Sequence, residues 1–188
     1  MQTYAGNLKN GEFIRHQDGI WQIVKAEFYS PGKGSALMRA KMKNVGSGKT
    51  NDYTFKSQES VETMDVNSME MQYLYKDAES LYFMNEQTFE QMEVPLAMAE
   101  GFSQFLKEGD KMYVYVLDDK ALSVRPPSSL RLKITQTEDA ARGDTVGNVK
   151  KPATVETGAT VMVPAFIKAG DIITINPETA EYTGRENS

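Results

Sequence analysis

A lone lysine flanked by glycines is the residue of this sequence best placed to do chemistry. Lys33 lies in the run Tyr-Ser-Pro-Gly-Lys-Gly-Ser-Ala at positions 29–36. Pro31 fixes one φ angle, and Gly32 and Gly34 tolerate the positive φ values that a tight turn needs while leaving no side chain beside the lysine. The sequence therefore predicts an amine that projects from the end of a narrow turn.

Two β-strands are predicted to meet at this turn. Residues 20–28 are apolar and β-prone, and apolar and basic residues alternate from Leu37 to Val45 on the other side. The lysine would thus lie at the tip of a hairpin. A solvated lysine in an ordinary glycine-rich hairpin would show the same local pattern, so its role depends on the rest of the chain.

Composition excludes several classes of function. The 188-residue chain is 40% hydrophobic and contains no cysteine, which excludes disulfides, thiolate metal sites and a cysteine nucleophile. We expect a reducing, cytoplasmic environment. Residues 1–8 lack the basic start and apolar core of a signal peptide, and no window approaches the roughly 20 apolar residues of a membrane span. Neither export nor a membrane anchor is expected.

Charge is distributed unevenly along the chain. The formal net charge is −5, but residues 1–64 hold nine Lys/Arg against six Asp/Glu, residues 65–128 five against twelve, and residues 129–188 seven against eight. The basic residues of the segment that carries the tip include Lys25, Lys33, Arg39, Lys41, Lys43, Lys49 and Lys56. A local positive field attracts phosphate even when the whole molecule is acidic, although a chance fluctuation in surface charge would look the same.

The remaining pattern predicts three all-β units. Short strands separated by turns from Phe13 to Phe55 indicate a first small barrel, and the pattern loosens in the acidic stretch Ser60–Asp65. Further strands, with a short helical region between Leu96 and Leu106, indicate a second barrel. Pro126-Pro127 cannot continue a central strand, and a third unit follows it. The predicted domains are residues 1–64, 65–127 and 128–188.

Three other motifs fit turns better than active sites. Gly46–Thr50 resembles the end of a phosphate-binding loop, but the first glycine of that motif would fall on Lys43, and a strand follows instead of a helix. His16 is the only histidine, lies in a predicted turn and has no partner pattern for a triad or a metal site. Asp118-Asp119 fits turn chemistry better than a catalytic dyad.

The second unit is rich in aromatic residues. Such side chains stack on bases in single-strand-binding proteins, but inward-facing apolar residues at a period of two are also what any barrel core requires. We favour core packing for Tyr73, Tyr75, Tyr82, Phe83 and Phe89.

Motifs spread over nearly the whole chain resemble those of bacterial elongation factor P. The matching residues include the tip Pro31–Gly34, the run Gln72–Tyr75, the junction Pro126-Pro127 and the segment Arg142–Thr145, in order and at the family's spacing. The most specific match is the run Lys151–Gly170.

The resemblance implies a fold and a function. The expected fold is all-β, with three small barrels in an L-shaped, tRNA-like arrangement: an N-terminal SH3-like (KOW-type) barrel followed by two OB-fold barrels. The expected function is that of a translation elongation factor, not an enzyme and without a cofactor. It would bind the ribosome between the peptidyl and exit sites and relieve stalling at consecutive prolines by positioning the peptidyl-tRNA. The implied partners are both ribosomal subunits, the peptidyl-tRNA and a lysine-modifying enzyme, and the factor is expected to be a monomer.

The resemblance also assigns roles to residues. Lys33 matches the family residue that points at the acceptor end of the tRNA and is usually modified after translation, and Pro31, Gly32 and Gly34 form its loop. Because this residue is lysine and not arginine, glycosylation is disfavoured and extension by an amine-bearing group is expected. Contacts with tRNA or the small subunit are implied for Arg142, Gly143, Asp144, Thr145, Tyr182 and Arg185.

Two alternatives remain open from the residues alone. An enzyme would use Lys33 as a Schiff-base nucleophile, which requires a dry pocket or a neighbouring cation, and a glycine-flanked tip offers neither. A general binder of single-stranded RNA or oligosaccharides would use the OB-type barrels. Relief of a proline-run stall in a purified translation reaction distinguishes the factor from both.

Overall fold

The computed structural model describes residues 1–138 and 149–186 and is built almost entirely of antiparallel strands. Within these residues, sixteen strands form three sheets. The predicted all-β class is therefore confirmed. The described ranges contain no helix long and apolar enough to cross a membrane.

The first sheet is six-stranded and carries the lysine hairpin. Its strands are β1 (Gln2–Tyr4), β2 (Phe13–His16), β3 (Gly19–Tyr29), β4 (Leu37–Asn44), β5 (Thr50–Lys56) and β6 (Ser60–Met64). They lie side by side in the order β1-β6-β2-β3-β4-β5. On β4, Met38, Ala40 and Met42 are buried whereas Arg39 and Lys41 are exposed, so the period-two alternation directs the apolar side chains into the core.

The segment predicted to loosen near Ser60 is a strand, so this expectation was wrong. Strand β6 pairs with β1 and β2, with Val61 opposite Thr3 and Thr63 opposite Ile14. Of its five residues only Val61 is buried. One inward apolar residue among polar neighbours is too weak a pattern for the alternation to be visible in the sequence.

The second sheet is five-stranded and curls back on itself. Its strands are β7 (Asn67–Lys76), β8 (Ser80–Met84), β9 (Gln91–Pro95), β10 (Lys111–Leu117) and β11 (Lys120–Arg125). They lie in the order β11-β10-β7-β8-β9, and β9 contacts β11. The predicted helical region consists of two short 3₁₀ turns, Leu96–Ala99 and Ser103–Phe105. Pro95, which comes directly before the first of these turns, ends β9 opposite Ser80.

The third sheet is also five-stranded and forms a nearly closed barrel. Its strands are β12 (Leu130–Thr137), β13 (Lys150–Val155), β14 (Thr160–Pro164), β15 (Ile172–Asn176) and β16 (Glu181–Arg185). They lie in the order β14-β13-β12-β15-β16, and the two edge strands β14 and β16 contact each other. Closure of this kind leaves little strand edge unpaired.

Side-chain packing joins the three sheets. The buried cores of the second and third sheets form one apolar cluster, which also includes Phe13 and Val45 of the first sheet. The ring of Phe13 lies 5.3 Å from that of Tyr115. Between the second and third sheets, Lys107 Nζ lies 3.0 Å from Glu156 Oε1.

Candidate functional site

Lys33 lies at the outer end of the hairpin formed by β3 and β4. The last paired residues of the two strands are Tyr29 and Leu37, and residues 30–36 turn the chain between them. Lys33 and both neighbouring glycines are exposed. The amine is therefore presented to solvent and is not enclosed by the protein.

Only one of the two tip glycines uses left-handed backbone. Gly34 has a φ of +114°, and a Cβ there would lie 3.8 Å from Cγ of Pro31. Gly32 lies outside the left-handed region, and a Cβ there would meet nothing within 4 Å. The expectation that a positive φ is needed thus holds for Gly34 alone, whereas Gly32 leaves open space beside Lys33.

A third strand supports the hairpin up to its tip. Strand β5 pairs with β4 as far as Lys56 opposite Leu37, and the N–H of Ser57 donates to the C=O of Ala36 at 2.9 Å. Two-stranded hairpins are marginal in water, whereas three paired strands with a buried face are stable. We call residues 25–41 the finger; its inner strand, β4, is held on both sides.

The outward face of the finger carries opposed and paired charges. Lys25 Nζ lies 2.5 Å from Glu27 Oε1, and the hydrogen bond from Lys25, together with its charge, lowers the pKa of Glu27. The guanidinium of Arg39 lies 4.7 Å from the centre of the Tyr29 ring. Lys25 is directly opposite Lys41 across the β3–β4 ladder. Like charges in that position destabilise a sheet, but each lysine here also has a carboxylate beside it: Glu27 pairs with Lys25, and Asp52 is directly opposite Lys41.

The turn Gly46–Thr50 contacts the second sheet and has no geometry for phosphate. The Oδ1 atom of Asn44 accepts the N–H of Ser47 at 2.9 Å. Gly48 has a φ of +68°, and a Cβ there would lie 2.6 Å from both Cβ and the carbonyl oxygen of Ala97. Strand β5 follows the turn, so no helix N-terminus is present to hold a phosphate. Gly48 is required by this contact with the 3₁₀ turn Leu96–Ala99 of the second unit.

Lys43 was expected to contribute to the basic surface but is half-buried against the second sheet. Its Nζ donates to the C=O of Met98 at 3.3 Å. Burial lowers the pKa of Lys43, and the nearby Glu100 carboxylate opposes that shift. A single sequence gives no signal for this contact, because the acceptor is a backbone carbonyl 55 positions away.

A second polar contact lies beside Lys43: the hydroxyl of Ser123 donates to Oε1 of Gln22 at 3.2 Å. We call the contact between the first two sheets the joint; its residues are Gln22, Lys43, Gly48, Ala97, Met98 and Ser123.

His16 ends strand β2 and does not lie in the turn where it was predicted. Its ring lies 4.5 Å from that of Tyr53 and 5.4 Å from that of Phe55. The turn itself is formed by Gln17 and Asp18, with φ values of +47° and +59°. His16 thus packs as an aromatic ring at the edge of the core. Among the described residues, no group of three His, Cys, Asp or Glu side chains could hold a metal ion.

The aspartate pair of the second sheet forms a turn, as predicted. Asp118 and Asp119 have φ values of +48° and +60° and connect β10 to β11, which is the geometry of a two-residue hairpin loop.

The aromatic residues of the second sheet divide into two groups. Tyr73 and Phe83 are buried, as expected. Core packing was the wrong expectation for Tyr75 and Phe89, which are 54% and 71% exposed, and Tyr82 is half-buried. Tyr75 follows a register shift in the β7–β8 ladder. Such a shift turns a side chain to the opposite face of the sheet.

Two of the residues implied near the C-terminus, Tyr182 and Arg185, lie on a different sheet from the one that carries the tip. Arg142–Thr145 lie outside the described residues. Tyr182 and Arg185 lie on β16 of the third sheet, and Tyr182 packs against the core. The guanidinium of Arg185 lies 5.4 Å from the centre of the Phe166 ring, and its Nη1 lies 3.7 Å from Oδ2 of Asp171.

Three protein-family models match consecutive parts of the chain. Residues 4–61 match the model described as the elongation factor P (EF-P) KOW-like domain, residues 66–124 the EF-P OB domain, and residues 130–185 the elongation factor P C-terminal model. Elongation factor P of Oleidesulfovibrio alaskensis is 42% identical over 180 residues, which cover 96% of this chain and 97% of that protein. The chain belongs to the elongation factor P family. Elongation factor P of Magnetococcus marinus is also 42% identical, over 178 residues that cover 95% of each chain.

Membership in the elongation factor P family makes this chain a translation elongation factor, as the sequence resemblance implied. The predicted KOW-type and OB-type barrels are confirmed for the first and second units. Among solved structures, eukaryotic translation initiation factor 5A from Methanococcus jannaschii aligns with 21% identity and a TM-score of 0.46, covering 67% of this chain and 94% of that one.

Proposed function

We propose that this elongation factor P binds the ribosome between the peptidyl and exit sites and relieves stalling at consecutive prolines by positioning the peptidyl-tRNA. The observation that carries the proposal is the exposed Lys33 at the end of the finger, whose strand β4 is paired on both sides, with β3 and with β5. It is supported by family models that match the chain in succession from residue 4 to residue 185.

In the proposed mechanism, the protein holds the end of the peptidyl-tRNA in position while the ribosome catalyses the reaction. We call this bracing. Proline reacts slowly in peptide transfer because its ring constrains both the attacking nitrogen and the preceding chain, so part of the loss is one of orientation. Holding reactants in the right geometry lowers a barrier by several kcal/mol, and by up to about 7–11 kcal/mol in ideal cases. A firm arm that donates hydrogen bonds from the Lys33 amine to the end of the tRNA supplies such bracing without an acid or a base. The ribosome remains the catalyst, and this chain is not an enzyme.

We propose Lys33 as a site of post-translational modification. Its amine is exposed, and Pro31, Gly32 and Gly34 leave the approach to it open. A lysine-modifying enzyme could therefore reach it. An amine-bearing group added there would keep hydrogen-bond donors at the end of the side chain and extend its reach toward the tRNA.

The proposed orientation follows the charge. The basic outward face of the finger would meet phosphate, and the acidic second unit would face away from most of the rRNA. Arg142–Thr145, Tyr182 and Arg185 would contact the tRNA or the small subunit. The chain would act as a cytoplasmic monomer with domains at residues 1–64, 65–127 and 128–188; the three sheets and three family matches support that division.

A purified translation reaction tests the function. Synthesis through a run of three prolines is timed with the wild type, with Lys33→Ala, and with Lys168→Ala, which removes another exposed lysine, in the third unit. We expect the wild type and Lys168→Ala to accelerate synthesis equally and Lys33→Ala to lose about tenfold or more of that acceleration, since it forfeits much of the bracing. Equal rates with Lys33→Ala and the wild type would refute the proposal.

The intact mass of protein purified from its native cell tests the modification separately. A mass shift that maps to Lys33 is expected. A mass equal to that of the bare chain, in a preparation that still accelerates synthesis, would refute the modification and leave the bracing role standing.

A further inference from the structure

Two tyrosines form an exposed, stacked pair on the outer face of the second sheet. Tyr75 of β7 and Tyr82 of β8 are cross-strand partners. Their ring centres are 4.6 Å apart and their planes differ by 22°. Because Tyr75 is 54% exposed, the pair offers an aromatic surface to a partner outside the chain.

The pair is fixed in place before any partner arrives. The hydroxyl of Tyr82 donates to Oδ2 of Asp77 at 2.8 Å. The other oxygen of Asp77 accepts the N–H groups of Glu79 and Ser80 at 2.9 and 2.8 Å. The hydrogen bond to Asp77 raises the pKa of Tyr82 to about 12, so the ring stays neutral. A surface ordered in advance loses less side-chain freedom on binding.

Carboxylates border the pair. Glu93 is directly opposite Tyr82 across the β8–β9 ladder, and Asp77 and Glu79 lie in the adjoining hairpin turn; all three are exposed. The neighbouring cation on β7, Lys76, donates to the C=O of Ser103 at 3.3 Å. This border attracts cations and repels the phosphates of a nucleic acid.

Three other exposed aromatic rings of the chain already have an arginine guanidinium over them. Arginine guanidinium groups lie over rings in three places, 4.7 to 5.4 Å from the ring centre: Arg39 over Tyr29, Arg125 over Tyr113 and Arg185 over Phe166. Within residues 1–138 and 149–186, no such contact involves the Tyr75–Tyr82 pair. The Tyr75–Tyr82 pair is thus open to a cation from outside the chain, and its carboxylate border favours one.

We infer that the tyrosine pair and its acidic border form a docking surface for an extended, arginine-bearing segment of a partner protein. A planar guanidinium stacks on an aromatic face and pairs with a carboxylate at the same time, whereas an ammonium group does so less well. The surface consists of Tyr75, Asp77, Glu79, Tyr82 and Glu93. Through this surface, the acidic second unit would bind a partner protein.

The test measures binding of a labelled peptide, Gly-Arg-Gly-Arg-Gly-Arg-Gly, to the full chain by fluorescence anisotropy at low and high salt. Tyr75→Ala removes the outer ring, and Tyr75→Leu retains bulk without an aromatic face. Phe89→Ala is the control, because Phe89 is 71% exposed in the same unit but lies in the β8–β9 loop and is not part of the stacked pair. Thermal unfolding of each variant checks that the fold is retained.

We expect both Tyr75 variants to weaken binding about fivefold, Glu93→Gln about threefold, and Phe89→Ala not at all. The same peptide with lysine for arginine should bind more weakly, and amide shifts on titration should centre on residues 75, 82 and 93. Wild-type affinity in both Tyr75 variants would overturn the inference. So would equal binding of the lysine peptide, or tighter binding of oligouridylate than of the arginine peptide, because either shows that the surface does not select arginine.

Discussion

At the residue scale, the exposure of Lys33 is produced by its neighbours. Gly34 supplies the left-handed turn and Gly32 supplies empty space, while Pro31 limits the conformations of the loop. The residue types were sufficient to predict a projecting amine. They could not reveal which glycine needs a positive φ, because glycine tolerates both signs and the sequence alone does not record which is used.

The two tip glycines should respond differently to the same substitution. Gly34→Ala places a Cβ on a residue whose φ is +114°, so we expect it to lower the free energy of unfolding by about 1–2 kcal/mol. Gly32→Ala meets no atom within 4 Å and should leave that free energy unchanged or raise it slightly. Urea unfolding of both variants measures the difference; equal losses would show that the tip backbone differs from that described here.

The Asp77–Tyr82 hydrogen bond should be visible in titrations. The N–H groups of Glu79 and Ser80, and then the Tyr82 hydroxyl, lower the pKa of Asp77. Its carboxylate therefore stabilises the fold fully above about pH 4, and this contribution is lost as the pH falls through the lowered pKa. We expect Asp77→Asn to reduce Tm at pH 7 and the reduction to shrink toward pH 2.

The tyrosine partner gives a second measurement of the same bond. In Asp77→Asn, the pKa of Tyr82 should fall from about 12 toward the ordinary tyrosine value near 10. Carbon-13 chemical shifts of the tyrosine rings follow this titration. An unchanged Tyr82 midpoint in the variant would mean that Asp77 is not its acceptor in solution.

At the element scale, strands with strong alternation were predictable and weak ones were not. Strand β4 shows its period because Met38, Ala40 and Met42 alternate with charged residues. Strands β6 and β9 were missed, since each buries a single residue, Val61 or Val94. Their pairing depends on tertiary contacts, which the local alternation of apolar and polar residues does not reveal.

The Gly46–Thr50 turn can be tested against another glycine of similar backbone. Gly48→Ala brings a Cβ within 2.6 Å of Ala97, so we expect it to lower the free energy of unfolding by about 2–4 kcal/mol. Gly11→Ala is the matched control, because Gly11 also has a positive φ, +87°, but a Cβ there meets nothing within 4 Å. It should cost only about 1–2 kcal/mol.

Urea unfolding of the two glycine variants decides the question. If Gly48→Ala costs no more than Gly11→Ala, the turn does not press against the second sheet, and the joint as described is wrong.

At the scale of the whole molecule, the joint connects the first two units. The order of the three units followed from the resemblance, but the joint could not be predicted. Its contacts connect residues far apart in the chain, such as Gln22 with Ser123. It involves a backbone carbonyl and a glycine, neither of which marks an interface in a sequence.

Charge reversal on the finger tests the proposed orientation. Lys25→Glu with Lys41→Glu should weaken ribosome binding and flatten its dependence on salt by about one logarithmic unit for each lost phosphate contact. The control, Lys120→Glu with Lys168→Glu, makes the same change in net charge at exposed positions of the other two units. Filter binding over a range of salt concentrations measures both. An equal loss in the control would show that only the overall charge matters.

Strand β4 spans the distance from the tip to the joint. It begins at Leu37, next to the lysine loop, and ends at Asn44, beside Lys43 and the turn that contacts Ala97. At roughly 3.3 Å per residue, its eight residues span about 26 Å. A tilt of the strand by about 5° at the joint would move the Lys33 amine sideways by about 2 Å, which is more than the donor–acceptor distance of a hydrogen bond can change without breaking it. We therefore expect that a partner bound to the second unit also changes where the Lys33 amine lies, without contacting the lysine itself.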